Sequence, residues 1–339
     1  MLQAVTRRPE HLVFQKVPIP KPEKGQALVA VKCLGICRSD VHAYCGKHPF
    51  TSYPIIQGHE FSAEVVSVGE SVENLNPGDK VTAEPQATCG TCSMCRLGKY
   101  NICETLKVWG FQVNGVASEY CILPIERTIR LPEEITYEQG AFLEPLSVAV
   151  HAAHRIGGKN NKVAVIGAGT IGLLVAQVLK SLGAQRVMIC DMKEKRLRLA
   201  KNLGIGLAVN IEKQPLEDII DSEFGPEGAD CMVECAGSQS ALESAVSNAR
   251  NGSRVVALGV YPTKPKIEMG FIVERELELI GSMMYTRQDW LGAISLIKDK
   301  KVKVDPLVTH RFDFKDYPEA YRVAHENSDE PVKIMIKVS

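Results

Sequence analysis

The chain reads as an α/β protein: an irregular β-rich region over roughly the first 150 residues, followed by a doubly wound parallel sheet. Three observations predict this. The middle of the chain alternates short apolar strands with helical stretches. A glycine-rich turn follows one of those strands and opens a helix. The first part instead carries short alternating runs separated by Pro-Gly and Lys-Gly turns.

In the first part, Leu28–Cys33, Ala63–Val68 and Lys80–Ala83 have the apolar, β-branched character of strands, and Pro77-Gly78-Asp79 and Lys24-Gly25 read as turns. In the middle, strand Lys162–Ile166 precedes helix Ile171–Leu182. Then come strand Arg186–Cys190, helix Lys193–Leu203, strand Ala208–Asn210, strand Asp230–Glu234, helix Ser240–Ala249 and strand Arg254–Leu258. Such alternation implies parallel βαβ units with helices on both faces of an open sheet. The tail adds helix Trp290–Lys298, an apolar piece at Leu307–Val308, helix Pro318–Glu326 and strand Lys333–Val338. The Lys298–Lys303 charge cluster reads as a solvated helix end.

Composition narrows the function classes. The 339 residues are 45% hydrophobic and 24% charged, and 40 basic residues balance 40 acidic ones. That excludes disorder and provides no whole-molecule field for nucleic acid or an anionic membrane, so no partner of either kind is expected. No apolar run reaches membrane-spanning length, and charges interrupt the first residues where a secretory leader would be apolar. The expectation is a cytoplasmic protein. Eleven cysteines, an odd number, argue against a disulfide framework.

Four of those cysteines, Cys89, Cys92, Cys95 and Cys103, form C-x2-C-x2-C-x7-C. Three thiols at three-residue spacing curl around one ion and the fourth closes the shell, so a structural Zn²⁺ is expected. An iron–sulfur cluster and a zinc-ribbon nucleic-acid module use the same ligand type; the second lacks surrounding basic residues. Cys37, His59 and Glu60 supply the mixed thiolate, imidazole and carboxylate set of a catalytic zinc with a free position, although each alone fits an ordinary core or turn residue. Glu144, between Leu143 and Pro145, is a further carboxylate, or else an acid at a helix start. Asp40 fits a partner fixing the tautomer of a ligand imidazole, and Ser39 and His42 fit a proton relay.

Gly167, Gly169 and Gly172 complete G-x-G-x-x-G after a strand and before a helix, and Asp191 ends the next strand. That context makes the hexamer a Rossmann dinucleotide fingerprint. The helix N-terminus attracts the pyrophosphate, and Asp191 suits ribose hydroxyls, favouring NAD over NADP; nearby Arg196 weakens that preference.

In this order these pieces resemble the zinc-dependent medium-chain alcohol dehydrogenases, in the branch of polyol, threonine and sugar-acid dehydrogenases. The motifs run from Gly35-Ile36-Cys37 through Gly58-His59-Glu60, the four-cysteine lobe, Glu144-Pro145-Leu146-Ser147 and the glycine fingerprint to Pro306–Phe314. The resemblance implies a GroES-like catalytic domain at 1–149, a Rossmann NAD domain at 150–286 and a segment at 287–339 returning to the catalytic domain. It implies catalytic zinc at Cys37, His59 and Glu60, with Glu144 binding zinc or its water, and catalytic roles for Ser39, His42, Glu60 and Glu144. NAD contacts are implied at Gly167, Gly169, Thr170, Ile171, Gly172, Asp191, Arg196, Leu258, Gly259, Val260, Met283, Met284 and Tyr285.

It also implies two zinc ions per chain, NAD, a homodimer or homotetramer, and oxidation of a secondary hydroxyl of a polyol or sugar acid. Departures bear on substrate. Ala63 replaces a family glycine. Sorbitol dehydrogenases carry Tyr at Ala43 and Arg-Tyr at Met284-Tyr285, and losing those polar groups turns the expectation from sorbitol toward sugar acids such as L-galactonate or L-gulonate. Residues 46–54 resemble bacterial enzymes of that kind. Sorbitol or L-iditol, threonine and vicinal diols are the alternatives.

Overall fold

The structure, a computed structural model, describes residues 1–157, 161–261, 263–326 and 330–339. Two compact units form. One comprises Met1–Glu144 and Val308–Ser339, the other Pro145–Leu307.

In the first unit, strand Gln26–Ile36 is the backbone of a seven-stranded sheet. It pairs antiparallel with Glu60–Val68 on one side and with Lys333–Lys337 on the other. Lys333–Lys337 in turn pairs parallel with Val308–Asp313. Eight residues of Gln26–Ile36 are aliphatic or cysteine, and most are buried on both faces, which suits a central strand. The core gathers Val29, Val31, Leu34, Phe61, Leu123, Tyr317, Tyr321 and Ile336. A hairpin, Leu2–Arg8 with His11–Lys16, lies outside that sheet.

The second unit is a six-stranded parallel sheet. Its spatial order is Leu207–Asn210, Arg186–Asp191, Lys162–Ile166, Cys231–Glu234, Arg254–Ala257, Glu278–Gly281. The first strand in sequence is central and the order reverses there, so ligands are expected beyond its carboxyl end. Strands and helices fall where the hydrophobic pattern puts them, within a few residues. The helices Thr170–Ser181, Glu194–Asn202 and Gln239–Ser247 all form.

Several elements differ from the sequence reading. The sequence pattern does not predict helix Tyr137–Ile156, since Gly140 and Pro145 interrupt it. Helix Leu216–Phe224 and strand Glu278–Gly281 likewise form outside the elements the pattern predicts. The chain returns to the first unit at Val308 rather than at 287. Helix Arg287–Lys298 stays with the second unit because Gly292 packs close to Val150 and Asp289 bonds His151 and His154. Among the described residues no helix is long and apolar enough to cross a membrane.

Candidate metal centres and dinucleotide site

Strand Gln26–Ile36 delivers Cys37, which starts the short helix Arg38–Tyr44. The Cys37 N–H, orphaned at a helix start, donates to Asp40 Oδ2 at 3.0 Å. Asp40 is thereby fixed, and its Oδ1 faces His59 Nδ1 at 3.3 Å. Both atoms are buried and neither makes a well-aligned hydrogen bond. The loop bearing His59 is pinned from behind: Gly115 N–H donates to Ile56, Ala117 N–H to Gln57 and Val116 N–H to Gly58. Gln57 also donates to the Asp40 carbonyl at 2.8 Å. Phe111 covers His59, with ring centroids 5.1 Å apart.

Glu60 begins the next strand, opposite Gly35. A Cβ on Gly35 would lie 2.2 Å from Glu60 Oε2, so this glycine makes room for the carboxylate to cross the strand. There Glu60 accepts from the ammonium of Lys333, which also donates to the Ile36 carbonyl at 3.3 Å. Both side chains are fully buried. Burial opposes the Lys333 charge, but Glu60 and Cys37 outweigh it and lift its pKa above the ordinary lysine value. Lys333 was missed in the sequence, where it reads as the polar start of an alternating strand.

The structure brings Cys37, His59 and Glu60 together, their ligand atoms all within 4.8 Å of one another. Glu144 does not join that cluster. It is buried in the interior of helix Tyr137–Ile156, not at a helix start, and its charge is felt at Lys333. Burial disfavours charge on His59, but Asp40 and Cys37 dominate and raise its pKa well above normal. Surroundings this electron-rich favour any cation, and a sulfur, a nitrogen and an oxygen donor fit Zn²⁺. The Ser39 hydroxyl donates to Cys37 Sγ at 3.0 Å. His42 lies one turn further along the same helix. Burial, then Arg38, lowers its pKa. Ala43, expected to face substrate, is fully buried, and the Tyr53 hydroxyl donates to its carbonyl.

The four lobe cysteines converge as well, with Cys89–Cys103 at 3.5 Å, Cys92–Cys103 at 3.9 Å and Cys89–Cys95 at 4.0 Å. Tetrahedral bonds of about 2.3 Å place sulfurs ~3.8 Å apart, so the four fit one ion. Backbone N–H groups of Thr91 and Cys92 point at Cys89 and lower its pKa to about 5. The Cys89 N–H does the same for Cys103, lowering its pKa. Backbone donors thus favour the thiolate at two of the four sulfurs, whereas burial and the neighbouring sulfurs push the Cys95 thiol up to about 12.

In the second unit, Gly169 caps helix Thr170–Ser181 and has open space where a Cβ would stand. A Cβ on Gly172 would lie 1.8 Å from the Gly167 carbonyl oxygen, which accounts for that glycine by close packing of helix on turn. Asp191 accepts from Ala168 N–H at 2.7 Å and from Lys193 N–H at 2.9 Å, tying the glycine turn to the next helix. Arg196 stands 3.8 Å from Asp191, and among the described residues its buried Nε has no hydrogen-bond partner. An open cradle at a helix N-terminus beside an acid and an unsatisfied guanidinium nitrogen fits a dinucleotide. Glu234 shapes the neighbouring wall. It is fully buried, accepts from Ala236 N–H and Gly237 N–H at 2.7 Å each, and takes the Tyr261 hydroxyl at 2.6 Å. The turn Leu258-Gly259-Val260 lies against it: a Gly259 Cβ would stand 2.4 Å from Glu234 Oε2. Met283 is exposed and Met284 has a left-handed backbone, φ 46°. The Tyr285 ring is fully buried edge-on against Trp290.

A thiolate–imidazole–carboxylate cluster, a four-thiolate lobe and a dinucleotide-type sheet define a zinc-dependent oxidoreductase acting on CH–OH groups. The chain belongs to the medium-chain alcohol dehydrogenase family, in its polyol branch. "Alcohol dehydrogenase GroES-like domain" describes residues 23–133 and "Zinc-binding dehydrogenase" residues 170–299. Sorbitol dehydrogenase of Halalkalibacterium halodurans is 35% identical over 96% of this chain and 95% of its own length. L-Idonate 5-dehydrogenase of Vitis vinifera is 32% identical over 96% and 92%. An Escherichia coli CFT073 structure, described as a short chain alcohol dehydrogenase complexed with cofactor NADH, superposes with TM-score 0.92 at 30% identity, over 100% of this chain and 99% of that one.

Proposed function

We propose that the chain oxidises a secondary hydroxyl of a sugar acid, a hexonate such as L-galactonate or L-gulonate, to the ketone, with zinc and NAD. The observation that carries the reading is the convergence of Cys37, His59 and Glu60 beside Asp40 and Lys333. When bound, zinc supplies a Lewis acid that lowers the pKa of a hydroxyl, and the nicotinamide supplies a hydride acceptor. Cys37, His59 and Glu60 would hold the ion. Asp40 at Nδ1 leaves Nε2 of His59 for the metal, and Lys333 at Oε2 leaves the other Glu60 oxygen. Glu144 adds a second buried carboxylate. Ser39 and His42 take the hydroxyl proton outward, and the lowered pKa of His42 keeps its imidazole neutral and able to accept.

Gly167, Gly169, Thr170, Ile171 and Gly172 cradle the pyrophosphate, and Asp191 with Arg196 meets the adenosine ribose. Leu258, Gly259, Val260, Met283 and Met284 line the rest. Two zinc ions per chain are expected at the catalytic and lobe sites together, the second held by the four lobe cysteines. The chain assembles as a homodimer or homotetramer and takes no nucleic acid or membrane partner. The hexonate reading rests on the resemblance of residues 46–54, the absence of the polyol enzymes' Arg at Met284, and the relative named for L-idonate.

NAD reduction measured across hexonates, polyols, threonine and vicinal diols tests the substrate: a hexonate should show the highest kcat/KM, and a higher value with sorbitol would turn the reading to the polyol. Cys37→Ser should abolish turnover while NADH still binds, seen by its fluorescence. Full activity in that variant would remove the site.

A further inference from the structure

The first unit holds a third cluster of metal-type donors that shares no residue with the other two. Glu10 stands at the tight turn between strands Leu2–Arg8 and His11–Lys16. Cys45 caps the end of helix Arg38–Tyr44, and His325 lies in the last turn of helix Tyr317–Glu326. Their ligand atoms all lie within 4.8 Å of one another, and Cys45 Sγ is 3.1 Å from His325 Nδ1. We propose that Glu10, Cys45 and His325 form a further metal site, suited to Zn²⁺, with one coordination position left open to water.

The frame around the donors is built. The Glu10 N–H donates to the Tyr44 carbonyl at 2.8 Å, and the Tyr44 hydroxyl returns to the Glu10 carbonyl at 3.3 Å. The turn can approach Cys45 this closely because residue 46 is glycine: a Cβ there would stand 2.8 Å from Pro9 Cγ, and its φ is +72°. The two helices are joined independently, by Arg38 donating to the Ala324 carbonyl at 3.2 Å and by the Tyr44 and Tyr321 rings 5.1 Å apart. The donors are therefore held in place by contacts other than their own.

Their chemistry favours a borderline-soft ion. One sulfur, one nitrogen and one oxygen make the mixed shell in which zinc keeps an exchangeable ligand. Bonds of about 2.0–2.3 Å require donors a little over 3 Å apart, close to the spacing already present between sulfur and nitrogen. Metal binding displaces the thiol proton of Cys45 and offsets the carboxylate charge of Glu10. A filled site would tie the hairpin turn and the C-terminal helix to the helix that begins at Cys37.

The test is zinc stoichiometry of the full-length protein, measured by titration against a chromophoric chelator after dialysis, for the wild type, Cys45→Ser, His325→Gln and Glu10→Gln. The wild type should bind one equivalent more than Cys45→Ser and His325→Gln, with Glu10→Gln binding that equivalent more weakly. Cys45→Ser should keep wild-type turnover. Cys37→Ser should lose a different equivalent, which separates this proposal from the catalytic reading. Equal stoichiometry in the wild type, Cys45→Ser and His325→Gln overturns the site. Loss in Cys45→Ser alone also overturns it, because a lone surface thiol is then the binder.

Discussion

A buried carboxylate needs a partner, and Glu60 has two candidates: the metal on one side and Lys333 on the other. Removing one half of a buried ion pair costs about 3–5 kcal/mol, because the remaining charge is left without solvent or counter-ion. Lys333→Met should therefore lower the urea midpoint sharply and loosen zinc retention, while Lys333→Arg should recover part of both. A Lys333→Met protein that unfolds like the wild type and holds zinc as tightly would show that the pair does not stabilise the site. At this scale, legibility tracks local motif. Cys37, His59 and Glu60 could be read because Gly-Ile-Cys and Gly-His-Glu are contiguous. Lys333 could not, because only the pairing of the last strand with Gln26–Ile36 puts its ammonium against Glu60.

Between residue and fold, two carboxylates act by joining elements. Asp191 ties the glycine turn to helix Glu194–Asn202, and it is the residue proposed to meet the ribose. Each hydrogen bond to a charged acceptor contributes about 1.5–3 kcal/mol, so Asp191→Ala should weaken NADH binding by ~10- to 100-fold. NADPH should lose less, because its phosphate no longer meets a carboxylate. An unchanged preference between the two cofactors, measured by fluorescence titration, would overturn the assignment.

Asp289 works in the same way at the start of helix Arg287–Lys298. It accepts from the Thr286 N–H at 2.8 Å and from His151 and His154 at 3.0 Å each. Burial alone would raise its pKa, but the two imidazoles and that N–H outweigh it and hold the carboxyl well below the usual range. The bond to Asp289 raises the His154 pKa against a burial effect that would lower it. A depressed acid contributes stability above its unfolded pKa of ~3.9, lost as pH falls through the folded value. A raised histidine contributes below its unfolded pKa of ~6.5, lost as pH climbs through the folded value. The two overlap in mildly acid solution. Asp289→Asn should thus cost about 1–2 kcal/mol there, from the weakened capping-box and imidazole bonds, and ~0.5 kcal/mol less in alkaline buffer, because His154 is more than half exposed. Thermal melts across pH check this; a pH-independent difference would mean that the histidine carries none of the coupling. The long helix Tyr137–Ile156 supplies both histidines, yet it could not be read from its pattern. Tertiary packing sustains it across Pro145, where one backbone donor is missing.

For the whole molecule, the parallel sheet of the second unit has an end that one copy leaves uncovered. Strand Glu278–Gly281 is its last strand, and among the described residues no strand pairs with its outer edge. The burial pattern there is mostly exposed, and Leu279 is 43% accessible. The helix just before it, Met269–Glu274, exposes Val273 at 71% and Met269 at 57%. Nearly alternating strands and helices made the sheet legible in the sequence, but an edge is visible only once strand order is known. An unpaired, apolar strand edge is a template for another chain, and proteins that keep one commonly cover it with a partner. A second copy supplies an identical edge, so a two-fold axis beside Glu278–Gly281 would continue the sheet from one protomer into the next. Sedimentation equilibrium at micromolar concentration should give the mass of a dimer or tetramer, and Leu279→Lys should shift it toward smaller species by placing like charges near the axis. A monomeric wild type would refute the assembly. An unshifted Leu279→Lys oligomer would place the contact on another face.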